Sequence, residues 1–181
     1  MTEKAFDAAG FVQFDLASGT IENPIHERLA LIPFELFTAI PATDALKQAA
    51  HAWGKSRGRV FKVMEGSGAL TMTVLAQHLQ GEIAMMGAGS AGIEVWGDAL
   101  LVRIEGKMAT SKAVAKVIEG FTAGYFSAIA SEPFDGISDS PDDAHLIVFL
   151  GNPEAIIAIR KHMMNDVPLL DAVTQLIKEV A

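Results

Sequence analysis

The chain predicts an α+β fold, on three observations. Ile93-Glu94-Val95-Trp96, then Gly97-Asp98, then Ala99-Leu100-Leu101-Val102-Arg103-Ile104 reads as a β-hairpin closed by a tight Gly-Asp turn. Two long segments, from Thr43 to about Met64 and from Thr110 or Ser111 to about Ala130, carry apolar residues at helical spacing. His145-Leu146-Ile147-Val148-Phe149-Leu150 is an apolar run suited to a central strand.

The remaining elements follow in order. Phe11 to Leu16 alternates and reads as a strand. Asn23-Pro24 opens a helix from about Ile25 to Ile40, which Pro33 kinks and Pro41 ends. Thr43 is the N-cap of the next helix. Leu46, Ala50, Trp53, Val60, Phe61 and Met64 form its apolar stripe, and Lys47, His51, Lys55 and Lys62 fall on the other side. Gly54 and Gly58, four apart, let a second backbone approach closely, although each weakens the helix by ~1 kcal/mol against Ala. Gly66-Ser67-Gly68 breaks the chain, a helix runs from about Leu70 to Gln80, and residues 87–92 form a loop. In the helix after the hairpin, Val114, Ile118, Phe121, Tyr125 and Ile129 step along one face, with Lys112, Lys116 and Glu119 away from it. Gly120 and Gly124 repeat the four-residue glycine spacing. Pro133 stops that helix, and Phe134 to Asp143 reads as a Gly/Asp/Ser/Pro-rich loop. Asn152-Pro153 opens a helix to about Met164, and Pro168 starts the last one. No repeat or linker interrupts the 181 residues, so a single domain, 1–181, is expected.

Composition excludes several classes. Lys+Arg is 14 against Asp+Glu 22, a net charge of −8 with no basic tract, which disfavours nucleic-acid backbones and anionic membranes. The absence of cysteine removes disulfides, thiolate catalysis, Fe–S clusters and Cys-ligated zinc. No apolar run is long enough to span a bilayer and no signal-peptide core is present, so a cytoplasmic location is expected.

Few residues carry a chemical signature. Gly87-x-Gly89-x-x-Gly92 has the letters of a dinucleotide fingerprint, but a strand follows where that motif needs a helix. Ser90 within the same run fails as a nucleophile elbow for the same reason. His145 beside Asp142 and Asp143 is a candidate His–carboxylate metal site; the alternative is a loop of solvated charges. Glu132, Asp135, Asp139, Asp142 and Asp143 read either as a weak calcium site or as a solvated acidic loop, and they lack the EF-hand order. Arg57 stands between Trp53 and Phe61 on an apolar stripe. A cation buried there needs an anion from the protein or from a ligand, unless its head reaches water. Trp53, Phe61, Phe121 and Tyr125 line either a plain core or an apolar pocket.

The order of elements resembles a known family. It runs through His51-Ala-Trp-Gly-Lys-Ser-Arg-Gly58, then the hairpin from Gly92 to Ile104. It continues with the helix Val117-Ile-Glu-Gly-Phe-Thr-Ala-Gly-Tyr-Phe126 and the strand His145–Leu150. Over roughly Ile25–Leu150 the chain resembles the 4-vinyl reductase domain family, within the wider group that includes transport-protein-particle (TRAPP) subunits. The most specific piece is Gly120-Phe-x-x-Gly-Tyr125 placed after the hairpin. The resemblance implies helices packed on a twisted antiparallel, TRAPP-like sheet, a core at about 25–150 and a C-terminal helical extension at 153–181. It also implies a hydrophobic-ligand sensing or carrier role and dimerisation through helices. Sensor members bind zinc largely through cysteines, which this chain lacks; His145 stands roughly where a strand cysteine would be. The heme-based nitric-oxide sensors of the wider group carry Tyr-x-Ser-x-Arg, matched here only by Tyr125-Phe-Ser127-Ala-Ile129, so heme is not expected.

The expectation is a non-catalytic, homodimeric domain that binds a mostly apolar small molecule, with Trp53, Phe61, Phe121 and Tyr125 as walls and Arg57 as anchor. Its signal or ligand would pass to a protein partner. The alternatives are a structural assembly or chaperone subunit, and an enzyme acting on a tetrapyrrole or other hydrophobic metabolite. The sequence names no cofactor.

Overall fold

A computed structural model describes residues 13–15, 17, 20–22, 28–29, 39–65, 71–96, 99–106 and 111–180. The N-terminal strands β1 (Gln13–Asp15), β2 (Thr20–Glu22) and β3 (Arg28–Leu29) form a small antiparallel sheet in that order. Two residues of the helix expected from Ile25, Arg28 and Leu29, are therefore extended. Residues 23–27 and 30–38 lie outside the described ones.

The main body follows as α1 (Asp44–Glu65), α2 (Met72–Met85), β4 (Ser90–Trp96), β5 (Ala99–Glu105), α3 (Lys112–Ala130), β6 (Asp135–Asp139), β7 (His145–Gly151), α4 (Pro153–Met163) and α5 (Leu169–Val180). The five helices pack on a four-stranded antiparallel sheet ordered β4-β5-β7-β6. This is the α+β architecture anticipated from the sequence.

Local chemistry sets many of the boundaries. The Thr43 hydroxyl accepts the Leu46 amide at 3.2 Å and the Thr71 hydroxyl accepts that of Val74 at 3.3 Å. Asn152 caps α4 through the Ala155 amide at 2.8 Å, with Pro153 in the first turn. Trp96 pairs with Ala99, the register expected of a two-residue hairpin; the expected turn residues Gly97 and Asp98 lie outside the described ones. Ser90, Ala91 and Gly92 belong to β4 rather than to the expected loop.

The period of two along the strands divides the core into two layers. Val102, Ile104, Leu146, Val148 and Leu150 face Phe61 of α1, Leu79 and Ile83 of α2 and Ile118, Phe121 and Tyr125 of α3. Leu101, Ile147 and Phe149 face Ile156 and Ile159 of α4 and Leu169, Ala172 and Val173 of α5. The C-terminal helices thus cover the second face of the sheet.

Two further expectations need correction. Residues 135–139, read as loop, form β6, which pairs along β7 from Asp135↔Gly151 to Asp139↔Ile147. Nothing in Asp-Gly-Ile-Ser-Asp favours a strand by pattern; the partner strand imposes it. The helix expected to end near Gln80 continues through the buried Gly81 to Met85, because Glu82 and Ile83 have partners inside.

Candidate functional site

The first core layer is organised by the crossing of α1 over α3, the most extensive contact between elements. Gly54 and Gly58 lie against the backbones of Phe121 and Tyr125, and Gly120 and Gly124 lie against those of Lys47 and His51. A Cβ at any of these four positions would stand 2.0–2.5 Å from a facing carbonyl oxygen, well inside van der Waals contact. The two glycine pairs of the sequence are therefore each other's docking surface.

This close crossing delivers Arg57 into the interior, where it is 2% exposed. Its partner is Glu82 of α2, 3% exposed. Arg57 Nε donates to both carboxylate oxygens, at 3.0 and 3.1 Å, and the second guanidinium nitrogen donates to Oε1 at 2.8 Å. Burial pushes the Glu82 carboxyl above its ordinary range, and the hydrogen bonds and charge of Arg57 pull it back only in part. Glu82 was not anticipated. The signal was present: Leu75, Leu79 and Glu82 share one face at helical spacing, so a lone acid interrupts an apolar stripe as Arg57 does on α1.

The four aromatic residues singled out from sequence do meet. Trp53 and Phe121 have ring centroids 4.8 Å apart, Phe121 and Tyr125 6.0 Å, and Phe61 and Tyr125 5.9 Å. Phe61 also meets the His78 ring edge-on at 4.4 Å. Such distances lie within the favourable range for ring pairs. Phe61, Phe121 and Tyr125 are fully buried, and half-buried Trp53 closes one end of the row.

A second polar network joins α1, α3 and β6. Glu119, expected on the polar side of its helix, is buried. It accepts the Ser138 amide at 3.1 Å, the Ser138 hydroxyl at 2.7 Å and Lys116 Nζ at 2.8 Å. Lys47 Nζ, 3.7 Å from Glu119, binds Asp135 and the Gly136 carbonyl, each at 2.7 Å. Burial raises the Asp135 carboxyl, but Lys47, the Gly136 amide and Arg160 together outweigh it and hold the group below its ordinary range. The acidic stretch is thus partly structural: Asp135 anchors α1 and Asp139 accepts the Leu169 amide of α5 at 3.4 Å, while Glu132, Asp142 and Asp143 are exposed.

At the start of β7, His145 Nδ1 lies 2.7 and 2.8 Å from the two Asp142 oxygens. Asp142 also accepts the Ala144 and His145 amides at 2.8 and 2.9 Å. The Ala144 amide first, then the His145 ring, hold its carboxyl below the usual range. Asp143 is exposed. Among the described residues no group of three or more His, Asp or Glu side chains is arranged to hold a metal ion.

No known family model matches the chain, and no curated protein matches it. Its architecture is similar to the phenol-responsive sensory domain of the transcription activator PoxR, solved with phenol. The TM-score is 0.58 at 12% sequence identity, over 80% of this chain and 91% of that one. At this identity the likeness establishes the fold. No helix among the described residues is long and apolar enough to cross a membrane.

Proposed function

We propose that the chain is a sensory or carrier domain for a flat, largely apolar small molecule bearing a hydroxyl or acidic group. The observation that carries this reading is the buried Arg57–Glu82 pair, which joins α1 to α2 in the core layer that also holds the aromatic row. A buried ion pair is a poor source of stability, since apolar residues of similar volume do as well or better. It does supply fixed donors and acceptors in a dry setting, which is what orients a small ligand with few polar groups. Trp53, Phe61, Phe121 and Tyr125 would pack against the ligand body, and the paired Arg57 and Glu82 would take its polar group. The fold likeness to a phenol-responsive domain supports the same reading. The domain would act as a homodimer and pass occupancy to another protein.

The test is native mass spectrometry and an absorption spectrum of freshly purified protein, followed by melting curves with phenol, benzoate, palmitate and protoporphyrin. A ligand at about a hundredfold its Kd stabilises by ~2.7 kcal/mol, a rise in Tm of roughly 5–10 °C for a chain of this size. The rise should vanish in an Arg57→Met/Glu82→Leu double variant that still folds. A bare monomer mass, with melting unchanged across the panel, would reject the proposal and favour a scaffold.

A further inference from the structure

The outward side of α1 carries a different chemistry. His51, Lys55, Arg59 and Lys62 follow one another at steps of four, four and three residues and line one groove. Its opposite wall is the end of α3 and the turn beyond it, with Ser127, Ser131, Glu132 and Phe134. The groove encloses about 580 Å³, within the ~300–1,000 Å³ typical of small-molecule sites.

The cations are not equivalent. Lys62 Nζ is committed to the Ala128 carbonyl and the Ser131 hydroxyl, each at 3.1 Å, where it caps the end of α3. Ser127 is committed too: its hydroxyl donates to the Ala123 carbonyl at 2.7 Å and accepts the Phe134 amide at 2.9 Å, which fixes the far wall. Lys55 and Arg59 are exposed and have no hydrogen-bond or ion-pair partner among the described residues. They stand four residues apart, ~6 Å along the helix axis. Glu132 is the single acid in the lining. In a chain of net charge −8, two unpaired cations at the mouth of a walled groove are a local reversal of sign.

We propose that this groove binds an organic anion with two acidic groups, phosphate or carboxylate, separated by about the 6 Å that four helical residues span. Arg59 takes one group through its planar fork and Lys55 neutralises the other as a point charge. His51 extends the stripe by a further turn, and Phe134 offers an apolar patch to the carbon framework. The site is separate from the aromatic interior and does not depend on that interior holding a ligand.

The full chain is titrated calorimetrically with ATP, citrate and inorganic phosphate at two salt concentrations. The expected result is that ATP or citrate binds at least about tenfold more tightly than phosphate, since a second charge-assisted contact is worth about that factor or more. ATP against citrate separates phosphate-bearing from carboxylate-bearing ligands. Lys55→Glu/Arg59→Glu should abolish the difference with an unaltered melting curve, because both side chains are exposed. Equal affinity for all three anions, undiminished binding in the double variant, or no heat at millimolar ligand would overturn the proposal.

Discussion

The two faces of the sheet are built on different principles. The α4–α5 face is held chiefly by apolar side chains: Leu101, Ile147 and Phe149 from the strands meet Ile156, Ile159, Leu169, Ala172 and Val173. The α1–α3 face contains backbone pressed on backbone at four glycines, a buried Arg57–Glu82 pair and a buried Glu119 network. The first arrangement is what stability alone requires. The second adds desolvated charge that stability does not require, so function is to be sought on the α1–α3 side.

The sharpest test of that contrast is the ion pair. Arg57→Met should destabilise the protein by about 3–5 kcal/mol, because it strands a buried carboxylate. Adding Glu82→Leu should restore most of the loss in urea denaturation. A double variant no more stable than the single one would show that the pair itself holds the layer together.

The glycine crossing ranks next. Gly54→Ala gains ~1 kcal/mol of helix propensity but drives a methyl group into the Phe121 carbonyl. A net loss of about 2 kcal/mol is expected, within the usual cost of overpacking. Ile159→Val on the opposite face should cost only ~1 kcal/mol. If the two variants shift the urea midpoint equally, the crossing is looser than its geometry implies.

The smallest effect is electrostatic and has opposite signs within the same layer. Asp135 has a lowered carboxyl pKa in the folded state, so its contribution is present above about pH 4, the ordinary range, and is lost as pH falls below it. Glu82 has a raised one: the folded state binds its proton more readily, and stability falls as pH rises from about 4.3 through the raised value. Asp135→Asn should flatten the acid limb of a stability–pH curve slightly, and less so in high salt, since Asp135 is partly exposed. An unchanged acid limb would remove the Lys47–Asp135 contact from the account.

Sequence alone revealed whatever is encoded locally. The hairpin announces itself by alternation around Gly97-Asp98, both long helices by their apolar stripes, and the first of them by its Thr43 cap as well; Ser111, expected to cap the second, makes no side-chain cap hydrogen bond. The glycine pairs were readable because four-residue spacing is a property of one helix, even though its consequence needs two. Partnerships at long separation stayed hidden. Arg57 and Glu82 are 25 residues apart, and Glu119 and Ser138 are 19 apart. The helix expected to end near Gln80 runs on to Met85, so Glu82 lies beyond the stripe that the sequence predicts. A strand as polar as Asp135–Asp139 exists only because β7 offers it a ladder, and no window centred on it contains that information. The candidate site was therefore half legible: its aromatic residues and its cation, without the anion that completes it.

The glycine crossing also has a mechanical consequence. Where side chains separate two helices, a displacement of one is partly absorbed by rotamer changes before it reaches the other. Between Gly54 and Phe121, or Gly124 and His51, no such compliant layer exists. The helix that carries Arg57 inward carries Lys55 and Arg59 outward, and it meets α3 with no deformable layer of side chains between the two backbones. A displacement of α1 is therefore expected to move α3 with it.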